Sequence, residues 1–408
     1  MKYCLIGEKL SHSYSQAIHR ELKADYSLVE VKKDDLKRFV FKNDFDGYNV
    51  TIPYKSEIIP YLDDVSPLAK RLGAVNVVKN ENGKKFGDNT DYFGFINTVE
   101  KSGVSVCGKN ALVLGSGGAS KTAVAALYDL GAESVKVVSR SGDINYENCY
   151  FERDVSVIIN ATPVGMFPNI DDCPIDLERF KGLELVFDLI YNPFRTKLLL
   201  NAAALGIKAV NGANMLVAQA LKAREIWTGE KVTEENIQKY LRFLMDKTVS
   251  VALVGMPSSG KGTIGRALAE RLDKPFVDTD ALIEKKVGAS CEDIITERGE
   301  GEFRRIESEI VRSLITAGGK VVATGGGAIL SEENRRILKQ TSLVVYIKRD
   351  ISLLSVKGRP ISKERGLEKL FSERAPKYEA ASDNFIINDG SVAEAVERIA
   401  YLYENFGY

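Results

Sequence analysis

Histidine is almost missing from this chain: there are two in 408 residues, His12 and His19, and tryptophan occurs once. Imidazole is the usual proton carrier near neutral pH, so acid–base chemistry outside the segment GEKLSHSYSQAIH must draw on other side chains. Cysteine is sparse too. Cys4, Cys107, Cys149, Cys173 and Cys291 are scattered, odd in number and never spaced as a metal or redox pair, a usage that fits a reducing cytosol. Excess charge of either sign is also lacking, since 56 lysines and arginines balance 56 acids. That removes the broad positive field needed to hold nucleic acid or an anionic membrane, and the expected partners are small molecules. No apolar run approaches the roughly eighteen residues of a membrane span, and the opening MKYCLIGEKL is too short for a signal peptide. A soluble, cytoplasmic protein is expected.

What is present is length and apolar content, 44% of 408 residues, enough for several cores. The first hundred residues alternate YCLIG, the helical SQAIHRELK, DGYNVTI and a helical reading from Lys55 onward, the pattern of an α/β domain. ALVLGSGGAS, TAVAALYDLG and SVKVVSR then give strand, glycine turn, helix and strand, a dinucleotide-binding unit spanning about 101–190. Strands follow at VSVIIN and LELVFDLI. Helical stretches from Pro193 to Gly206 and from Ala213 to Trp227 are expected to pack back on the first domain, which would therefore comprise 1–100 and 191–230. TEENIQKYLRFLMDK reads as a charged linker helix within 231–247. A new strand, TVSVALVG, opens a doubly wound α/β domain over 248–408.

In the first half, Gly115, Ser116, Gly117, Gly118 and Ala119 follow a strand and open a helix, where backbone amides can cradle a pyrophosphate. A plain tight crossover would look the same. At the end of the next strand stand Ser139 and Arg140, where an NAD site would place an acid; an arginine suits a 2′-phosphate, so NADP is the expected cofactor. Lys55 follows NVTIPY and Asp91 lies in GDNTD; a lysine held by an aspartate can donate a proton and be restored, although for any single lysine or aspartate a surface charge is the commoner case.

Residues 1 to about 230 resemble shikimate dehydrogenases, with SHSYS, NVTIPYK, GAVN, GDNTD, LGSGGA, NATPVGM, DLIYNP and NGANMLVAQA in the family's order. The resemblance implies a Lys55–Asp91 catalytic pair. It implies that Ser13, Ser15, Thr51, Asn76, Asp91 and Gln219 hold the substrate's hydroxyls and carboxylate, with Tyr191 facing the substrate and Leu189 and Gly212 near the nicotinamide. The implied reaction is reversible reduction of 3-dehydroshikimate to shikimate by NADPH. Where the family often shows Asn-Arg-Thr and further basic residues, this chain has Ser139, Arg140 and Ser141 followed by Gly142 and Asp143, which points to a weaker NADP preference and leaves a dual-cofactor or quinate-accepting relative as an alternative.

In the second half, VALV leads into GMPSSGKGT, a phosphate-binding loop in which Pro257, Ser258, Ser259, Gly260 and Gly262 line a nucleotide's phosphates and Lys261 reaches the β and γ positions. ATP with Mg2+ is expected. The residue after Lys261 is Gly262, where the usual motif has a magnesium-binding hydroxyl; either Thr263 or water completes the metal shell, with Asp278 as a direct or indirect partner. Asp278 and Asp280 end the strand PFVDTD and face the carboxyl edge of the sheet, though singly they could be helix caps. Residues 249–408 resemble shikimate kinases in their phosphate loop, Asp-x-Asp, FRxxE, TGGG, Arg-Pro and RxxxY segments. That resemblance implies that Asp280 orients the attacking hydroxyl, that Arg304, Arg374, Gly325, Gly326 and Gly327 grip the substrate, and that Arg359 is a lid arginine over the phosphates.

The expectation is therefore a bifunctional enzyme in which ATP phosphorylates the hydroxyl that NADPH creates. A ligand-sensing regulator on the same domains would lack catalytic residues, but Lys55, Asp91, Lys261, Asp280 and Arg359 are all present and no DNA-binding segment is added. A narrower alternative keeps the dehydrogenase and impairs the kinase at Gly262.

Overall fold

In the computed structural model, which describes residues 1–10, 14–42, 44–316, 318–354 and 366–407, the chain forms two units, Met1–Asn192 with Thr196–Leu244, and Pro193–Arg195 with Met245–Tyr408. The first unit opens on a mixed sheet of β1 (Lys2–Gly7), β2 (Asp25–Glu30), β3 (Gly47–Val50), β4 (Asp64–Val65), β5 (Val77–Glu81) and β6 (Lys84–Asp88), in the order β2-β1-β3-β5-β6-β4. KYCLIG and GYNV are buried along nearly their whole length and make its centre. β5 and β6 form a hairpin whose turn residues Asn82 and Gly83 both have positive φ, 54° and 77°, the backbone that a two-residue Asn-Gly turn supplies.

The same unit carries a second sheet of β7 (Asn110–Leu114), β8 (Ser134–Val138), β9 (Val155–Asn160), β10 (Leu185–Asp188) and β11 (Lys208–Val210), ordered β11-β10-β9-β7-β8. All its pairings are parallel. Its strands are apolar on both faces, as a sheet covered on both sides requires: Val113, Ile159 and Phe187 point into one cluster, Leu112, Ile158 and Val186 into another. Phe95, from the helix Asp91–Lys101, meets Phe187 at 5.3 Å between ring centroids, a contact worth about 1 kcal/mol beyond the area it buries. That helix lies close against Ala213–Thr228, since a Cβ on Gly94 would come within 2.6 Å of the Met215 carbonyl oxygen.

The second unit is built on β12 (Ser250–Val254), β13 (Phe276–Asp278), β14 (Val321–Ala323), β15 (Ser342–Lys348) and β16 (Asn384–Ile387), all parallel, ordered β13-β14-β12-β15-β16. In chain order this is 2-3-1-4-5, so the strand order reverses beside β12 and opens a crevice at the strands' carboxyl ends.

Several sequence expectations need correction. No long helix starts at Lys55: residues 53–58 are turns and Ile59–Tyr61 is a single 3-10 turn, because Pro53 and Pro60 deny the backbone donors a continuous helix needs. The helix expected from Pro193 begins at Lys197, capped by the Thr196 hydroxyl, and ends at Ala204. It does not return to the first sheet. Leu198, Leu199 and Ala202 bury against the second sheet, and β11 is that sheet's edge strand. The strand DYSLVE and the hairpin VVKNENGKKFGD are additional to the elements read from sequence. The charged helix runs Glu234–Thr248, with the division between units falling at Leu244 and Met245.

Candidate functional sites

At the carboxyl end of β3 the chain turns through Thr51–Pro53 and brings Lys55 back over the sheet. Asp91, first residue of its helix, faces it: Lys55 Nζ donates to Asp91 Oδ2 at 2.6 Å, with the two side chains only 18% and 12% exposed. Asp91 is positioned by its neighbour. The Thr90 amide donates to Asn76 Oδ1 at 2.7 Å and Asn76 Nδ2 donates to Thr90 Oγ1 at 3.1 Å, so GAVN and GDNTD are locked together beside the pair.

Lys55 and Asp91 open into a cavity of about 660 Å³ that also holds Ser15, Thr51, Asn76, Tyr191 and Gln219. Ala119, Leu189 and Gly212 stand at the same cavity, and a Cβ on Gly118 would lie 3.8 Å from the Lys55 side chain. The glycine turn and the lysine therefore meet at one place. Gly115 has φ 98°, a backbone only glycine adopts without strain, and a Cβ on Gly117 would meet nothing within 4 Å, which leaves the amides at the helix start open to a ligand. Ser116 lies in this turn, while Ser139 and exposed Arg140 lie at the end of β8. Burial pushes the Tyr191 hydroxyl up to about 12, so it stays protonated and can donate. Ser13 lies outside the described residues.

Two supports escaped the sequence reading. Asn49, inside NVTIPYK, lines the cavity, accepts from Tyr26 OH at 2.8 Å and donates to the Asn76 carbonyl at 3.2 Å. Asp188, fully buried, accepts from Asn160 Nδ2 at 3.0 Å, the Ile190 amide at 3.1 Å and Thr196 Oγ1 at 2.7 Å. This network ties the ends of β9 and β10 and fixes the strip from Leu189 to Tyr191. NATPVGM and DLIYNP were the visible signal, but two strand ends that meet only through side chains show no periodicity.

In the second unit, the loop between β12 and the helix Lys261–Arg271 bends at Ser258 (φ 64°) and Gly260 (φ 99°). Lys261 Nζ donates to the carbonyls of Gly255 and Met256 at 2.9 and 2.8 Å, across the concave side of its own loop. A cavity of about 570 Å³ joins Pro257, Ser258, Gly260, Lys261, Gly262 and Thr263 to Asp278, Asp280, Arg304, Arg374 and the glycines 325–327; Ser259 is buried beneath the loop. Asp278 caps the helix Thr279–Val287, accepting from the Asp280 amide at 3.0 Å. Arg374 Nη1 and Tyr378 OH both donate to the Gly326 carbonyl, and the Arg304 guanidinium sits where a Gly327 side chain would be. Arg359 lies outside the described residues.

Glu307 is the residue the sequence reading passed over. It is 1% exposed and accepts from Arg304 Nη1 at 2.7 Å. Its Oε1 and Asp280 Oδ1 both lie within 2.7 Å of the point where a Gly325 Cβ would stand, so any larger residue there would push the two carboxylates out of place. Burial first, and then the Asp280 charge, raise its carboxyl above the usual range against the pull of Arg304. Its signal was the three-residue spacing from Arg304 in FRRIE, which puts both on one helix face.

A glycine turn at a parallel sheet beside a lysine–carboxylate pair defines a dinucleotide-dependent oxidoreductase class, and a phosphate loop facing two aspartates and two arginines a P-loop kinase class. Residues 5–78 match the model of the shikimate dehydrogenase substrate binding domain, and residues 257–403 that of shikimate kinase. The chain is 38% identical to a shikimate dehydrogenase (NADP(+)) of Clostridium perfringens, over 58% of this chain and 97% of that protein. It is 40% identical to one of Caldicellulosiruptor bescii, over 55% and 88%. Among solved structures, a chorismate mutase/shikimate 5-dehydrogenase fusion protein of Clostridium acetobutylicum superposes with a TM-score of 0.57 at 37% identity, covering 60% of this chain and 97% of that one. The Thermus thermophilus shikimate 5-dehydrogenase in complex with NADP(H) and shikimate gives 0.54 at 31%, covering 60% and 99%. The chain belongs to the shikimate dehydrogenase family, and its second unit carries a shikimate kinase domain.

Proposed function

We propose that the chain is a bifunctional cytoplasmic enzyme that reduces 3-dehydroshikimate to shikimate with NADPH and phosphorylates shikimate to shikimate 3-phosphate with ATP. The observation that carries the first step is the 2.6 Å Lys55–Asp91 pair opening into a cavity of hydroxyl and amide side chains. NADPH, when bound, supplies a hydride to the ring carbonyl carbon. The carbonyl's π electrons move to oxygen, and Lys55 Nζ gives that oxygen a proton while Asp91 holds Nζ in position. Ser13, Ser15, Thr51, Asn76, Tyr191 and Gln219 bind and orient the polyhydroxylated ring acid. Gly115–Ala119 with Leu189 and Gly212 cradle the dinucleotide, and Arg140 with Ser139 takes the 2′-phosphate.

In the second unit the phosphate loop holds ATP, Asp280 accepts the proton of the attacking shikimate hydroxyl, and the bond to the ADP leaving oxygen breaks as the new P–O bond forms. Lys261 and Arg359 balance the charge on the moving phosphoryl group. Arg304, Arg374 and Gly325–Gly327 grip the substrate carboxylate, with Arg304 held by Glu307. A divalent cation fits this donor set: Asp278 faces the loop at Gly262, and Mg2+ there would neutralise phosphate charge.

Product analysis tests the reading. With 3-dehydroshikimate, NADPH, ATP and Mg2+ together, shikimate 3-phosphate should accumulate. Omitting ATP should stop the sequence at shikimate, and omitting NADPH should leave the ketone untouched. Shikimate without phosphorylated product in the complete mixture would refute the kinase half.

A further inference from the structure

The helix Lys261–Arg271 carries no side chain at Gly262, the position that faces Asp278. A Cβ built there would stand 3.9 Å from Asp278 Oδ2 and 3.7 Å from Arg266 Nη2. Both are ordinary van der Waals distances, so the space is open, and it adjoins a carboxylate and the phosphate loop. Gly262 is not needed for backbone reasons: it lies in a helix, outside the positive-φ region. Thr263, one residue on, is rotated by about 100° around the helix axis and is exposed.

Resting on the kinase reading above, we propose that the Gly262 slot is a water site. A water in it, hydrogen-bonded to Asp278, takes the place of a protein hydroxyl on the nucleotide's divalent cation, so that the phosphate loop itself contributes no side-chain ligand to the metal. A polar slot with a carboxylate acceptor on one side and a cation on the other gives a water the two or more partners it needs. The cation is then held by its nucleotide and by solvent, with Asp278 acting through water.

Two substitutions separate this from alternatives, read by calorimetric titration of the full chain with ATP, in Mg2+ and in EDTA. Gly262→Ser puts a hydroxyl oxygen directly on the cation and should tighten Mg·ATP by about tenfold, with a far smaller change for metal-free ATP. Gly262→Ala fills the slot without an oxygen and should weaken Mg·ATP several-fold, again sparing metal-free ATP. Water-proton relaxation with Mn2+·ATP gives an independent count: the serine protein should hold one fewer exchangeable water on the metal than wild type. Equal shifts with and without metal, or an unchanged water count in the serine variant, would overturn the proposal. Failure of wild type and both variants to bind ATP in either buffer would overturn the kinase reading and this proposal with it, whereas ATP binding that ignores the substitutions overturns this proposal alone.

Discussion

Two lysines stand just past the carboxyl ends of central strands in this chain, one in the mixed sheet and one in a parallel sheet, and their side chains are engaged differently. Lys55 meets a carboxylate, Asp91, at 2.6 Å; Lys261 reaches two neutral carbonyls of its own loop, at 2.9 and 2.8 Å. The first arrangement suits a group that must hand over a proton at one place in every cycle, because the carboxylate holds Nζ at one point of the cavity wall. The second suits a group that must meet an arriving anion, because hydrogen bonds to its own loop hold the ammonium beside the cavity that the phosphates would enter. A lysine that acts as an acid needs a fixed carboxylate beside it; one that acts as a counter-ion needs a fixed place beside the anion it meets.

The sharpest way to break this comparison is to remove each lysine in turn. Lys55→Ala should lower the turnover of 3-dehydroshikimate reduction by roughly 10²–10⁴-fold while leaving NADP binding and ATP-dependent phosphorylation intact; steady-state kinetics of both reactions read this, and unchanged reduction would remove Lys55 from its role. Lys261→Met should lower phosphorylation by about 10²–10³-fold and leave reduction untouched. Loss of both activities from either variant would mean that the lysines act through folding instead. A smaller effect tests the cofactor: Arg140→Ala should raise KM for NADPH by about tenfold and leave KM for NADH alone. Equal changes would refute the 2′-phosphate assignment.

The smallest effect separates the units by acid. His19 is fully buried, stacked on Tyr26 at 4.2 Å, and burial drives its pKa down to about 3 from an ordinary 6.5, with the Arg224 charge adding to the effect. The unfolded chain takes up a proton near pH 6.5 that the folded chain refuses until about pH 3, so stability is full above 6.5 and falls as pH drops through that window. At pH 5 the loss is about 2 kcal/mol. Both histidines lie in the first unit, so thermal melts should show its transition falling between pH 6.5 and 4, and His19→Phe should flatten that fall. An unaltered acid limb in the variant would sink the assignment.

Much of the candidate site could be placed from sequence because its residues sit in unbroken segments. GDNTD, GSGGA, GMPSSGKGT and TGGG each hold their functional atoms within a few residues, so neighbouring letters already describe a surface. What stayed hidden depended on contacts across the chain. Asn49 and Asp188 matter through partners 27 to 28 residues away, and Glu307 through the point it shares with Asp280 beside Gly325. In the fold, the hairpin β5–β6 was missed although Asn82-Gly83 is the strongest short turn signal in the first hundred residues; its polar strands, VVKNE and KKFGD, lack the alternation that would have drawn attention to it. The helix expected from Pro193 started late because Thr196, the cap, is also the residue that closes the Asp188 network.

The approach of Gly212 to Leu189 has a consequence for how this enzyme can change. A Cβ at residue 212 would lie 2.0 Å from the Leu189 carbonyl oxygen, so main chain abuts main chain on that side of the cavity. Random substitution cannot deepen or narrow a wall made of main chain without dismantling it. Any drift toward a different ring acid, or any attempt to breed one in the laboratory, has to work through the side chains that line the cavity, Ser15, Thr51, Asn76, Tyr191 and Gln219 among them, where each letter of the sequence still moves an atom that a ligand can feel.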